Sequence, residues 1–310
     1  MRYTEERYIS LLTDFGFKRI FGTLPNKDLL ISFLNSLFNG EEVVKDVHFL
    51  NSEHVGDVYA ERKAIFDVYC ENERGEKFIV EMQNAKQHYF KDRSLYYATF
   101  PIREQAPKGQ DWNFKLAHVY VVALLNFDMH EEAFARDSII HDVALIDKET
   151  NKVFNEKLRF KYVEVAKFNK NLDELDTLYD KWIYVLKNLA RLNKKPAHLR
   201  NAVFDHLFSE AEIASFTHTE LKEYEDSLKA YRDIKNSLDT AKDEGRAEGM
   251  AKGMAEGMAK GMAKGMAKGL AEGRVETLNK MVSEMKREGL GYDLIEKLTG
   301  LDQKDIDAIP

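Results

Sequence analysis

The chain has 310 residues, is 44% hydrophobic and carries a net charge of −7, enough to bury one substantial core with room for a second unit. Its longest apolar run, residues 119–125, is too short to cross a bilayer, and the charged start MRYTEERYISLL lacks the apolar centre of a secretion signal. One cysteine, Cys70, excludes an internal disulfide and reads as a small buried hydrophobe, so a cytoplasmic chain with no membrane association is expected.

In chain order, an amphipathic helix is expected over residues 8–21 and a second from a cap at Asp28 to residue 38, before Asn39-Gly40. A strand at 43–50 and a longer loop lead to a β-hairpin at 64–84, its turn marked by Glu71-Asn72-Glu73-Arg74-Gly75. A helix follows at 88–105, interrupted near Pro101, and then the strongest strand, 115–127, rich in valine and leucine. A second antiparallel pair is expected at 138–146 and 158–168. Beyond Leu172 the pattern is all-helical, over 172–189, 198–208 and from about Glu220 onward. Tyr179, Trp182, Ile183 and Leu186 share a helix face and read as packing.

From Gly245 to Gly273 a glycine recurs at every fourth position. Each costs a helix about 1 kcal/mol relative to alanine, whereas the intervening alanine, methionine, lysine and glutamate favour one. A four-residue period drifts about 40° per tetrad, so no straight apolar seam forms. Two readings stand: a marginal helix or tether, and a close-packing glycine-alanine seam for self-association. Residues 290–309 read as two short helices turning at Leu298–Asp302. The second is short and acidic, which suits a packing cap better than a DNA-reading helix.

The chemistry lies in the hairpin. Centred on Arg74, it sets Asp67 opposite Glu81, Ile65 opposite Gln83 and Tyr69 opposite Ile79. Glu81 and Gln83 share one face. Phe66, Val68, Phe78, Val80 and Met82 make the other face apolar, while Ile65, Tyr69 and Ile79 partly enclose the acids. Opposed residues lie about 5 Å apart, and carboxylates that close repel unless neutralised. A solvated acidic face is the alternative, but acids amid apolar neighbours are costly unless paired or metal-bound. Mg²⁺ takes one or two carboxylates with water and phosphate oxygens. On the helix after the hairpin, Tyr89, Arg93, Tyr96 and Tyr97 share one side. Arg93 reads either as a phosphate clamp or as a bridge that orients Glu81 or Asp67. For DNA, the acidic balance calls for a local basic patch. Residues 187–200, KNLARLNKKPAHLR, contain no acid and read either as that patch or as a helix end.

Asp67, thirteen intervening residues, then Glu81-Met82-Gln83 resembles the D…ExQ form of the PD-(D/E)XK nuclease motif. The residues 14–22 (DFGFKRIFG), 93–97 (RSLYY) and 165–168 (VAKF) and the glycine-repeat tail extend that resemblance, over nearly the whole chain, to the Rpn-type recombination-promoting nuclease and transposase family. It implies an α/β (α+β) fold: a restriction-endonuclease-like core with a mixed central sheet flanked by helices, plus an all-helical C-terminal extension. The implied organisation is a nuclease-like domain at 1–215, a helical extension at 216–275 and a small helical segment at 276–310. The implied activity is a metal-dependent DNA endonuclease, with a catalytically degenerate DNA- or partner-binding module as the alternative. Asp67, Glu81 and the Met82 carbonyl would hold Mg²⁺ or Mn²⁺. Gln83 stands where most of the superfamily has lysine, which leaves the cationic role to Lys18, Lys86 or Lys91. Asp14 and Lys18 pair one helical turn apart, and the resemblance brings Asp14 to the site as an extra acid and Lys18 to the phosphate. The expected partners are DNA and a second copy of the chain, joined through the extension after Leu221.

Overall fold

The computed structural model describes residues 6–54, 64–106 and 112–310. The chain divides into two compact units, Met1–Leu238 and Asp239–Pro310. The first is built on a six-stranded mixed sheet. Strands β1 (Val47–Phe49), β4 (Val68–Asn72), β5 (Lys77–Gln83), β6 (Val119–Leu125), β7 (Ile140–Ile146) and β8 (Val153–Glu164) are arranged in the order β1-β4-β5-β6-β8-β7. The pairs β5/β6 and β6/β8 are parallel and the others antiparallel. A separate short pair joins β2 (Glu53–His54) to β3 (Ala64–Ile65). Helices α1 (Asp14–Phe21), α2 (Lys27–Phe38), α4 (Leu178–Asn188) and α5 (Ala202–Glu210) supply the core on one face of the sheet, and α3 (Phe90–Glu104) covers the other.

Strand parity divides the two cores. Val68, Cys70, Phe78, Val80, Met82, Tyr120, Val122 and Leu124 belong to the four-helix side; Tyr69, Ile79, Val119, Val121 and Ala123 belong to the α3 side. The fully apolar β6 is buried at every position, as a central parallel strand covered on both faces must be. This is the mixed α/β architecture that the nuclease resemblance implies. Cys70 is buried, and desolvation pushes its thiol up to about 12.

Several expectations change where long-range contacts overrule local pattern. The helix expected over 8–21 starts only at Asp14, because the apolar residues before it bond across the chain: Ile9 N–H donates to the Ala211 carbonyl at 3.0 Å and Ile213 N–H to the Arg7 carbonyl at 3.0 Å. The first strand narrows to Val47–Phe49, and the loop expected after Leu50 lies largely outside the described residues. Asn26, not Asp28, precedes α2; Asp28 bonds His206 at 2.9 Å. Pro101 lies within α3 without ending it, since buried Phe100 and Pro101 hold that turn in the core. The second antiparallel pair forms as expected, as β7/β8, and joins the sheet through parallel pairing of β8 with β6.

Beyond the sheet, α6 (His218–Arg287) is a continuous helix of 70 residues. Its root places Tyr224 and Leu228 in the main core. Along the repeat, Met250, Met254, Met258, Met262 and Met266 are exposed, and a Cβ added at any repeat glycine would meet nothing. The second unit closes on a small core in which Val282 meets Ile295 of α7 (Tyr292–Thr299) and Ile306 of α8 (Gln303–Ala308). Among the described residues no helix is long and apolar enough to cross a membrane.

One glycine controls how α1 enters the fold. Thr13 caps the helix by accepting the Gly16 N–H at 3.1 Å, while its own hydroxyl donates to the Ser10 carbonyl at 2.7 Å. A Cβ on Gly16 would lie 2.1 Å from that carbonyl oxygen and 2.9 Å from the Thr13 hydroxyl. The nearest atom is backbone, so the turn itself would have to move. Gly16→Ala is expected to destabilise the protein by about 1–3 kcal/mol, read as a lowered urea midpoint with an unchanged slope.

Candidate active site

The two acids come together where the β4/β5 ladder ends. Regular pairing runs from Glu71↔Lys77 to Val68↔Val80, with Tyr69 opposite Ile79, as the turn at Arg74 predicts. At Asp67 the chain leaves strand geometry, and side chains take over from backbone. Asp67 N–H donates to Glu81 Oε1 at 3.2 Å, and the Met82 N–H donates to Asp67 Oδ2 at 2.8 Å. Each carboxylate is thus fastened to the backbone of the other's strand. N–H and C=O of one strand residue leave on the same side, so the Met82 carbonyl also leaves toward Asp67.

This break changes two neighbours. Ile65 is not opposite Gln83; it pairs with Glu53 and is exposed, so it does not enclose the acids. Phe66 turns to the α3 side, where its ring meets Tyr69 at 5.5 Å and Tyr97 at 5.1 Å. The walls of the acid pair are therefore Tyr69, Ile79 and α3.

Burial and mutual repulsion dominate the electrostatics. Glu81 is only 7% exposed. Desolvation, then the charge of Asp67, pushes its carboxyl up to about 8, against the opposing pull of the Asp67 N–H, Arg93 and Lys18. Desolvation likewise raises Asp67, while the Met82 N–H and Lys18 act to lower it. Gln83 donates from its amide to Glu81 Oε2 at 3.3 Å.

Lys18 is the cation that reaches this corner. Its ammonium lies 2.7 Å from Asp14 and 4.0 Å from Asp67. Burial lowers its pKa, but Asp14, Asp67 and Glu81 outweigh that and raise it overall. Asp14 is largely exposed and serves Lys18 directly. Lys86 and Lys91 are turned elsewhere. Lys86 donates to the Met129 carbonyl and Lys91 pairs with Glu131 at 2.9 Å. Both line a cavity of about 300 Å³ with Phe90 and Phe127.

Arg93 bonds neither acid. Its Nη1 donates to Gln87 Oε1 at 2.5 Å, and its guanidinium lies over the rings of Phe90 (5.5 Å) and Tyr97 (5.7 Å). Its Nη2 is buried with no hydrogen-bond partner among the described residues, an expensive state for a charged donor. Tyr89 and Tyr96 are exposed, so only Tyr97 of the three tyrosines faces inward beside Arg93. Burial, then Glu81, raises the Tyr97 hydroxyl. Gln87 and the inward role of Tyr97 were not legible in sequence; the four-residue spacing Tyr89-Arg93-Tyr97 was the one available signal.

Part of the basic segment 187–200 is structural. Lys187 donates to the carbonyls of Ala166 (3.0 Å) and Phe168 (2.5 Å), and Lys195 pairs with Asp205. Among the described residues no group of three His, Cys, Asp or Glu side chains is set to hold a metal; the site offers a carboxylate pair.

The raised carboxyl has a consequence for stability. Glu81 keeps its proton in the fold up to about 8, whereas in an unfolded chain it loses it near about 4.3. The protonated state therefore stabilises the fold below the lower value, and that contribution is lost as pH rises to the upper one. In chelator, Glu81→Gln should remove this slope and stabilise the protein above pH 8 by about 1–3 kcal/mol. Urea unfolding at pH 5 and pH 8.5 measures it; an equal effect at both values contradicts the assignment.

No curated protein and no solved structure matches the chain. The family model described as PD-(D/E)XK nuclease family transposase matches residues 11–241, a span that contains Asp14, Lys18, the acid pair, Gln83, Arg93 and all six strands of the sheet. The chain belongs to the PD-(D/E)XK nuclease family transposases.

Proposed function

We propose that this protein is a divalent-metal-dependent DNA endonuclease hydrolysing phosphodiester bonds, in the service of recombination or a mobile element. The observation that carries this reading is the enforced pairing of Asp67 and Glu81 at the carboxyl end of β5, with Glu81 raised to about 8. Ligand sites of sheets with parallel strands lie at such strand ends. The donor set fits Mg²⁺ or Mn²⁺: Asp67, Glu81 and the Met82 carbonyl, with the remaining positions left to water and phosphate. When bound, the cation supplies charge neutralisation and acidifies a water.

The residues of the chain do the rest. Lys18, held by Asp14, offers a positive charge to a phosphate oxygen beside Asp67. Arg93 has a buried N–H with no acceptor among the described residues, and a phosphate oxygen would supply one. Gln83 ties its amide nitrogen to Glu81 and keeps a carbonyl oxygen free to orient a water. Gln83 carries no charge, so the cationic role falls to Lys18.

Nicking of supercoiled plasmid, with Mg²⁺ or with chelator, tests the proposal. Asp67→Ala should lower cleavage at least about 100-fold with little loss of stability, because it relieves carboxylate repulsion. Equal cleavage by the variant and the parent protein refutes the assignment. The neutral Gln83 also favours a second reading, a degenerate nuclease fold that binds DNA without cutting it. Salt-sensitive DNA binding, with no calorimetric signal for Mg²⁺ or Mn²⁺, would select that reading.

A homo-oligomer and a cytoplasmic setting complete the proposal. One acid pair acts on one strand at a time, so double-strand cutting calls for two sites. The repeat of α6, with glycines that let backbones approach closely, is the proposed means of pairing. Truncation after Thr240 should lower the number of chains per particle seen by light scattering and raise the ratio of nicked to linear plasmid. An unchanged oligomeric state and ratio would reduce the repeat to a spacer.

A further inference from the structure

The root of α6 presents Tyr224, Ser227 and Tyr231 at spacings of three and four residues, on one side of the helix. All three bond segments that lead to the acid corner. The Tyr224 hydroxyl accepts the Ser10 N–H at 3.0 Å and donates to Glu6 at 3.3 Å. Ser227 Oγ accepts the Phe15 N–H at 3.1 Å, one of the first-turn amides of α1 that have no partner within their own helix. The Tyr231 hydroxyl accepts the Asn126 side-chain amide at 3.4 Å. That amide also donates to Asn84 Oδ1 at 3.3 Å, and Asn84 donates to the Leu12 carbonyl at 2.8 Å.

The bonds converge on the site from both sides. Asn84 directly follows Gln83, and the Asn126 N–H donates to the Gln83 carbonyl at 2.8 Å. Ser10, Leu12 and Phe15 belong to the turn that aims α1, and Lys18 lies one helical turn beyond Asp14. The turn, the strand end and the α6 root are thus one hydrogen-bonded assembly.

We infer that Ser227 and Tyr231 are positioning residues, acting through α1 and Asn84 to place Lys18 and Gln83 against the acid pair. The inference rests on the nuclease reading for its consequence in catalysis, but not for its consequence in structure. It also makes the first turns of α6 part of the working unit, beyond the residue-215 boundary expected from sequence.

The test uses the full chain with Ser227→Ala, Tyr231→Phe, Lys18→Met and Gln83→Met, singly and combined. In Ser227→Ala, hydrogen exchange of the α1 amides should accelerate at least about tenfold while that of β5 and β6 stays unchanged. Plasmid-nicking kcat should fall about tenfold with KM little changed. Ser227→Thr, which keeps the hydroxyl, should restore both. In the Lys18→Met background Ser227→Ala should cost little more, and in a Gln83→Met background Tyr231→Phe should cost little more, because the group each positions is gone. Additive losses, or unchanged α1 exchange in Ser227→Ala, would overturn the inference. A parent protein that cuts no plasmid would remove the nuclease reading, and the exchange result would still decide the positioning role.

Discussion

The arrangement of this protein depends on holding two carboxylates where they repel. Asp67 and Glu81 face each other across the end of a hairpin, and each takes a backbone N–H from the other's strand. The Met82 amide is the one the ladder would have used toward Phe66 had it continued; the Asp67 amide reaches Glu81 only because the chain leaves strand geometry there. The fold therefore exchanges regular pairing at one residue for a fixed acid pair, and burial under α3 raises Glu81 to about 8. Such a pair is costly in water alone. It becomes favourable only with a proton or a cation between the acids, and this is why the site reads as a receptor for positive charge.

Everything nearby serves to keep that corner in place. Parallel pairing of β5 with β6 leaves the carboxyl end of β5 open and sets Glu81 beside Ala123, a small residue that leaves room on the α3 face. The α1 turn approaches with Lys18, and Gly16 allows it to pack against the Ser10 carbonyl. The cation at this corner comes from α1, where the Lys18 ammonium lies 4.0 Å from Asp67, while Gln83 on the strand is neutral and bonds Glu81. A cation carried on a helix depends on tertiary contacts for its placement, and several hydrogen bonds hold residues 10–15 ahead of it.

The sequence made the hairpin register legible because the turn is polar, glycine-containing and flanked by alternating strands. Asp67, Glu81 and Gln83 were legible for the same reason, and the Asp14–Lys18 pair through a single helical turn, whereas only the resemblance brought Lys18 toward the acids. What remained hidden was set by distant residues. Ile65 and Phe66 were placed by continuing a period of two through a point where the strand stops, and only the Ser52 and Glu53 segment shows that it stops. Lys86 and Lys91 looked available because their partners, Met129 and Glu131, lie some forty residues away. The antiparallel pairing of β7 with β8 was legible, but the parallel pairing of β8 with β6 was not, because it has no local signature.

The long helix α6 illustrates how uneven the support along one element can be. At its root, Tyr224 and Leu228 are buried in the main core, and at its far end Val282 packs with Ile295 and Ile306. Between them the repeat has eight glycines, each costing about 1 kcal/mol relative to alanine. Ion pairs such as Glu248–Lys252 at 2.6 Å and Lys268–Glu272 at 3.6 Å return about 0.3–0.5 kcal/mol apiece. That return is too small to offset the glycines. Helicity in the repeat is therefore carried by its alanine, methionine, lysine and glutamate residues and by continuity with two anchored ends. An exposed methionine column that drifts about 40° per tetrad offers a partner only short stretches of contact at a time. Any pairing there must wind around the helix rather than lie along it, which is the right-handed sense that a period longer than 3.6 residues imposes.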